Sequence, residues 1–123
     1  MPVLLTKQEI GKMAEGHAIR HLQNLDYKIL DTNWQFGHLE LDIVALDVNE
    51  LVIVEVKSRN SIRYGHPSDA VTPAKMKHIV EAADAYIQSR NLRYDTRFDI
   101  ITVIFFGLDW ELEHFKDAFY PTL

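Results

Sequence analysis

The chain has 123 residues, the size of one ordinary domain, and is 47% apolar and 25% charged, the balance of a globular protein that builds its own core rather than of a disordered one. It contains no cysteine, which excludes disulfides, thiolate metal sites and cysteine nucleophiles. Its net charge of −5 argues against a nonspecific nucleic-acid binder, which ordinarily carries a basic footprint, but not against a site whose carboxylates await a cation.

The first ten residues have too short an apolar run for a signal peptide and no basic flank. No stretch reaches the roughly 18 apolar residues of a membrane span. A cytoplasmic location, without membrane partners, is the expectation. Neither a repeat nor a linker-like tract interrupts the chain, so one domain over residues 1–123 is expected.

Thr6 and Glu9 form a capping-box pattern, and Ile10, Met13, Ala14, Ala18, Leu22 and Leu25 follow at helical spacing, predicting an amphipathic helix over Lys7 to Leu25. Tyr27 to Leu30 reads as a short strand followed by a polar connection. Leu39 to Leu46 and Leu51 to Lys57 are β-rich runs, and the Asp47-Val48-Asn49-Glu50 link between them predicts a hairpin. Arg59 to Asp69, with Gly65 and Pro67, reads as a loop.

A second helix is expected from Thr72, with Pro73 at its favoured first position and Met76, Ile79, Val80, Ala83 and Ile87 as its apolar stripe. Phe98 to Phe106 and Trp110 to Phe115 complete the strands; the tail from Lys116 to Leu123 has no clear pattern. The order α-β-β-β-α-β-β predicts an α/β fold, a mixed sheet with helices packed against it.

Two charges interrupt the otherwise apolar run Val52-Ile53-Val54-Glu55-Val56-Lys57. Side chains two apart on a strand share a face, so Glu55 and Lys57 point the same way, as do Glu40 and Asp42 on the preceding strand. If the hairpin forms, Asp42 and Glu55 converge. Burying two carboxylates costs several kcal/mol each without a counter-charge. Mg²⁺ supplies one, using one or two carboxylates together with phosphate oxygens and waters. A metal that activates water and a lysine that stabilises developing charge are the parts phosphodiester hydrolysis needs. The same residues also read as a plain Glu55–Lys57 ion pair at the sheet edge, with Asp42 merely exposed.

Three blocks carry a resemblance. Gly11-Lys12-Met13-Ala14-Glu15-Gly16-His17-Ala18, Glu40-Leu41-Asp42-Ile43-Val44-Ala45 and Val52-Ile53-Val54-Glu55-Val56-Lys57-Ser58-Arg59 resemble the YraN-like proteins, themselves similar to Holliday-junction-resolvase-like members of the PD-(D/E)xK superfamily. The last block is the most specific match, and Gly65-His66-Pro67, Lys75 and Arg97-Phe98-Asp99 also fall where the family has similar residues. The resemblance implies a restriction-endonuclease-like core. It implies that Asp42 and Glu55 bind Mg²⁺ or Mn²⁺, that Lys57 assists catalysis, and that Glu15 contributes to the metal site from the first helix. It further implies a DNA substrate, branched or otherwise irregular, and a homodimer. Two departures stand out: Leu41 replaces the superfamily's proline, and Leu39 stands where the family has glycine.

Arg59, Arg63 and Lys75 are the candidate phosphate contacts, with Lys77 and Arg97 as further cations; pairing of Arg97 with Asp99 is an equal expectation. His17 and His21 lie four apart on the first helix, a spacing compatible with two metal ligands, although no third ligand is near in sequence. Trp34, Phe36 and Tyr64 either stack on unpaired bases or cover the core. No phosphate-loop, nucleophile-elbow or dinucleotide motif is present. A noncatalytic nucleic-acid-binding or scaffold protein is the rival reading.

Overall fold

The computed structural model describes residues 5–59 and 71–121. Helix α1 spans Lys7–Asn24 and begins with the expected box: the Glu9 amide donates to the Thr6 hydroxyl (3.1 Å) and the Thr6 amide to the Glu9 carboxylate (3.0 Å), pairing two otherwise orphan helix-end donors. Its buried stripe is Ala14, Ala18 and Leu22, one residue per turn. The small side chains let the helix lie close to the sheet. Met13 and Leu25, expected in the stripe, are 42% and 44% exposed because they sit off this line.

Strand β1 runs over Lys28–Phe36. The polar connection expected after Leu30 is therefore strand: β1 is one edge of the sheet and has no fully buried residue, so its sequence lacks a buried strand's signature. A register irregularity between Ile29 and Asp31 adds to the disguise. Strands β2 (Leu39–Asp47) and β3 (Glu50–Arg59) form the expected hairpin. The positive φ of its two-residue turn falls on Val48 (56°). The loop expected over Arg59–Asp69 lies outside the described residues except for Arg59, which ends β3.

Helix α2 (Pro73–Ser89) is capped by Thr72, whose hydroxyl accepts the Lys75 amide at 3.2 Å. It buries Ile79, Ala82, Ala83 and Tyr86, with Met76, Val80 and Ile87 partly covered. Strands β4 (Asp95–Phe106) and β5 (Asp109–Phe119) both extend beyond the expected limits. Nine successive residues of β4, Arg97 to Phe105, are buried, as befits a strand covered on both faces.

The five strands lie in the order β1-β2-β3-β4-β5, antiparallel except for the parallel β3–β4 pair that α2 connects. One face carries α2 over Leu51, Ile53, Phe98 and Ile100; the other carries α1 over Ile43, Val52, Val54, Ile101 and Val103. Each fully buried aliphatic side chain contributes about 1.5–3 kcal/mol. The result is the mixed α/β sheet expected, with element order and connectivity compatible with a restriction-endonuclease-like core. Among the described residues, no helix is long and apolar enough to cross a membrane.

Candidate metal and phosphate site

The site lies where two neighbouring strands part. The β2–β3 ladder ends at Ile43↔Val54. Beyond it β3 continues along β4 as far as Arg59↔Ile104, while the Leu39–Leu41 end of β2 stays paired with β1. The packing phase of β2 shifts at the same point. Leu39, Leu41 and Val44 join the α2-side core, whereas Ile43 and Ala45 join the α1-side core; strict alternation would put Leu41 and Ile43 on one face. Asp42 occupies this break. Its Oδ2 accepts the Val56 amide at 2.9 Å, so a carboxylate stands in for a ladder carbonyl.

Glu55 and Lys57 face α2, in phase with Leu51 and Ile53. Glu55 is only 5% exposed. Its Oε1 lies 3.6 Å from Lys57 Nζ and 3.7 Å from Lys75 Nζ, ion-pair rather than hydrogen-bond distances. Burial pushes its carboxyl up to about 7, the Asp42 charge adds to the rise, and the two lysines oppose it. Two carboxylates sharing a poorly solvated space cannot both ionise cheaply; such a pair suits a divalent cation, for which two protein carboxylates suffice when waters and phosphate complete the shell.

Glu15 approaches from α1. Asn33 Nδ2 donates to its Oε1 at 2.9 Å. Partial burial raises its carboxyl; the Asn33 hydrogen bond opposes that, and the charges of Asp42 and Glu40 raise it further. Glu15 therefore senses Asp42 but is held by Asn33. Among the described residues no three His, Asp or Glu side chains are gathered closely enough to hold a metal ion as they stand, so the close pair is Asp42 and Glu55. Asn33 was not legible as part of the site, its one signal being that asparagine tolerates the left-handed backbone (φ 51°) it adopts here.

The other candidates separate. Lys75 joins Lys57 at Glu55, and the period of two puts half-buried Arg59 on the same face. Lys77 lies instead in a groove beside Met76 and Tyr120. Arg63 and Tyr64, with Gly65, His66 and Pro67, lie outside the described residues. Trp34 packs edge-to-face on Tyr86 and carries Phe36 parallel to it.

Arg97 is no phosphate contact. It is 7% exposed and its guanidinium donates to Asp99 twice (2.9 and 3.0 Å), Asp47 (3.2 Å), Glu50 (2.9 Å) and the Tyr27 hydroxyl (2.6 Å). His114 Nε2 donates to Asp99 at 2.7 Å, and His114 Nδ1 meets His21 Nε2 at 3.0 Å. Burial alone would raise the Asp99 carboxyl, but the hydrogen bonds from His114 and Arg97 hold it below its ordinary value. His17 stacks on Trp110 (3.9 Å, 23°) and accepts from Arg20 at 3.0 Å. Both helix histidines are thus engaged with β5 rather than gathered around a common point.

Residues 14–103, which include Glu15, Asp42, Glu55 and Lys57, match the model of the uncharacterised protein family UPF0102. The chain is 48% identical over 114 residues to a UPF0102 protein of Bacteroides fragilis (93% of this chain, 94% of the relative). It is 47% identical over 115 residues to one of Bacteroides thetaiotaomicron (94% and 95%), and 46% identical over 112 residues to one of Flavobacterium psychrophilum (91% and 94%). The chain therefore belongs to the UPF0102 family, the YraN-like proteins whose sequence blocks it carries.

Proposed function

We propose that the protein is a Mg²⁺- or Mn²⁺-dependent endonuclease that hydrolyses phosphodiester bonds in DNA, with branched or irregular DNA as its substrate. The observation that carries this reading is the pairing of buried Glu55 with half-buried Asp42 at the fork between β2 and β3, flanked by Lys57 and Lys75. Asp42 and Glu55 would hold the cation, which when bound would neutralise phosphate charge and activate water. Lys57, on the strand and face of Glu55, orients that water and stabilises the charge that develops on phosphorus-bound oxygens. Glu15, oriented by Asn33, orders a water or a second cation. Lys75, Arg59 and Arg63 contact flanking phosphates. A homodimer in the cytoplasm is part of the same reading, by analogy with the resolvase-like nucleases that the sequence blocks resemble, since a junction needs two symmetric cuts.

One observation favours the rival. Lys57 and Lys75 compensate Glu55 without a cation, as a noncatalytic nucleic-acid-binding protein that keeps the fold would also allow. Titration with Mn²⁺ separates the two: an active site binds it through Asp42 and Glu55, a decayed one does not. The direct test is a cleavage screen with Mg²⁺ and Mn²⁺ on single-stranded, duplex, flap and four-way-junction DNA and on single-stranded RNA. Cutting that disappears in both Asp42→Asn and Lys57→Ala supports the nuclease; cutting that persists in them, or no cutting despite binding, overturns it.

A further inference from the structure

Phe36 is 56% exposed although it is a large apolar ring. Two residues earlier on β1, Trp34 is half-buried against the α2-side core and meets Tyr86 edge-to-face at 5.1 Å and 87°. The Phe36 ring lies parallel to Trp34, with centroids 6.2 Å apart and planes within 5°. A flat ring is thereby seated on a second ring that the core fixes, leaving Phe36 largely open to solvent.

This platform shares its sheet face with Glu55, Lys57 and Lys75. Trp34 and Glu55 both lie on the α2 side, and β1 is two strands from β3. Strands are about 4.8 Å apart, so the lateral offset is about 10 Å where the ladder is intact and larger at Phe36, beyond the fork where β2 and β3 part. The register sets Phe36 opposite Leu39, three residues before Asp42, about 10 Å along the strand. A polyanion whose phosphate reaches the two lysines can therefore extend toward Phe36.

We propose that Phe36, backed by Trp34, is a stacking platform for an unpaired base a short way along the strand from the phosphate held at the Asp42–Glu55 site. This rests on the nuclease reading and narrows its substrate class. Bases inside a duplex are already stacked on both faces, so the occupant is a splayed nucleotide of a single strand, flap or junction. Aromatic stacking is tolerant of base identity, so the platform selects for unpaired structure rather than sequence. Two copies of a chain whose net charge is −5 repel one another, whereas the lysines beside Glu55 attract a phosphate chain, which favours the nucleic-acid occupant.

The test uses the full-length protein with Asp42→Asn to suppress cutting, and oligonucleotides carrying 2-aminopurine in a single strand or flap. Binding quenches the 2-aminopurine fluorescence. Adding Phe36→Ala is expected to abolish the quench and raise Kd for these oligonucleotides about ten-fold, within the range of one base–aromatic stack. The Kd for blunt duplex stays unchanged, and Phe36→Tyr retains both quench and affinity. Unchanged thermal unfolding of Phe36→Ala shows that the fold is intact. An unaltered quench and Kd, equal losses for blunt duplex, or a dimer that dissociates in Phe36→Ala without a change in base fluorescence overturns the platform. Failure of the wild-type protein to cut, with quenching intact, removes the nuclease reading and leaves the platform standing.

Discussion

Asp42 Oδ2 stands 2.9 Å from the backbone nitrogen of Val56, at the point where the β2–β3 ladder has ended and the two strands part. This single contact joins fold to chemistry, because the side chain that closes the fork also faces Glu55. Asp42→Asn keeps an oxygen acceptor for Val56 and relieves the repulsion with Glu55, so the metal-free protein should be no less stable than the parent, while cleavage falls by about a hundred-fold or more. Asp42→Ala leaves the Val56 amide unpaired and should cost about 1–3 kcal/mol as well. Urea denaturation alongside the cleavage assay separates the two effects.

Glu55 gives a pH dependence with a definite sign. Its carboxyl is pushed up to about 7 from an ordinary value of 4.5, so between these limits the folded state binds the proton more tightly than the unfolded state. Its contribution to stability is complete below 4.5 and is lost as pH rises through about 7. Metal-free protein in EDTA should therefore become less stable across this window relative to Glu55→Gln, and Mg²⁺ should reduce the loss. Denaturation midpoints at pH 5 and 8, with and without Mg²⁺, check this; a wild-type curve parallel to that of Glu55→Gln would contradict it.

Lys75 is 42% exposed at 3.7 Å from Glu55. Removing it takes away a positive charge that competes with a divalent cation, so Lys75→Ala should tighten Mn²⁺ binding up to about five-fold, a modest effect because solvent screens the pair. The same variant should weaken substrate binding through the lost phosphate contact. Calorimetric titration with Mn²⁺ and the KM for cleavage should thus move in opposite directions.

Arg97 and Asp99 test the fold instead of the chemistry. Both are buried and all five guanidinium donors are used. Asp99→Ala should cost about 1–3 kcal/mol, because it removes the acceptor of two Arg97 donors and of His114 while Asp47 and Glu50 still compensate the guanidinium. Chemical denaturation provides the measurement, and a loss below about 1 kcal/mol would show that the network is not structural.

Thr102 is the register partner of Lys57. It is buried, and its hydroxyl has no hydrogen-bond partner among the described residues. An unpaired buried hydroxyl costs about 1–3 kcal/mol, so the isosteric Thr102→Val should raise the denaturation midpoint. A fall would mean that the hydroxyl is satisfied by solvent beside Lys57.

The sequence by itself determined the elements with local signatures. The Thr6–Glu9 box, the Thr72-Pro73 start, the β2–β3 hairpin and the period-two placement of Glu55 with Lys57 all depend on residues within a few positions of one another, and each appears in the structure. Tertiary structure alone decided what depends on partners distant in the chain. The length of β1 is set by pairing with β2, because a strand with no fully buried residue carries no apolar pattern. The packing shift at Asp42 comes from two strands following different neighbours. Asn33 reaches Glu15 across 18 positions, Arg97 reaches Tyr27 across 70, and His21 reaches His114 across 93. Such pairs leave no periodic trace: a buried arginine and a phosphate-binding one look alike until the fold brings the carboxylates to one of them.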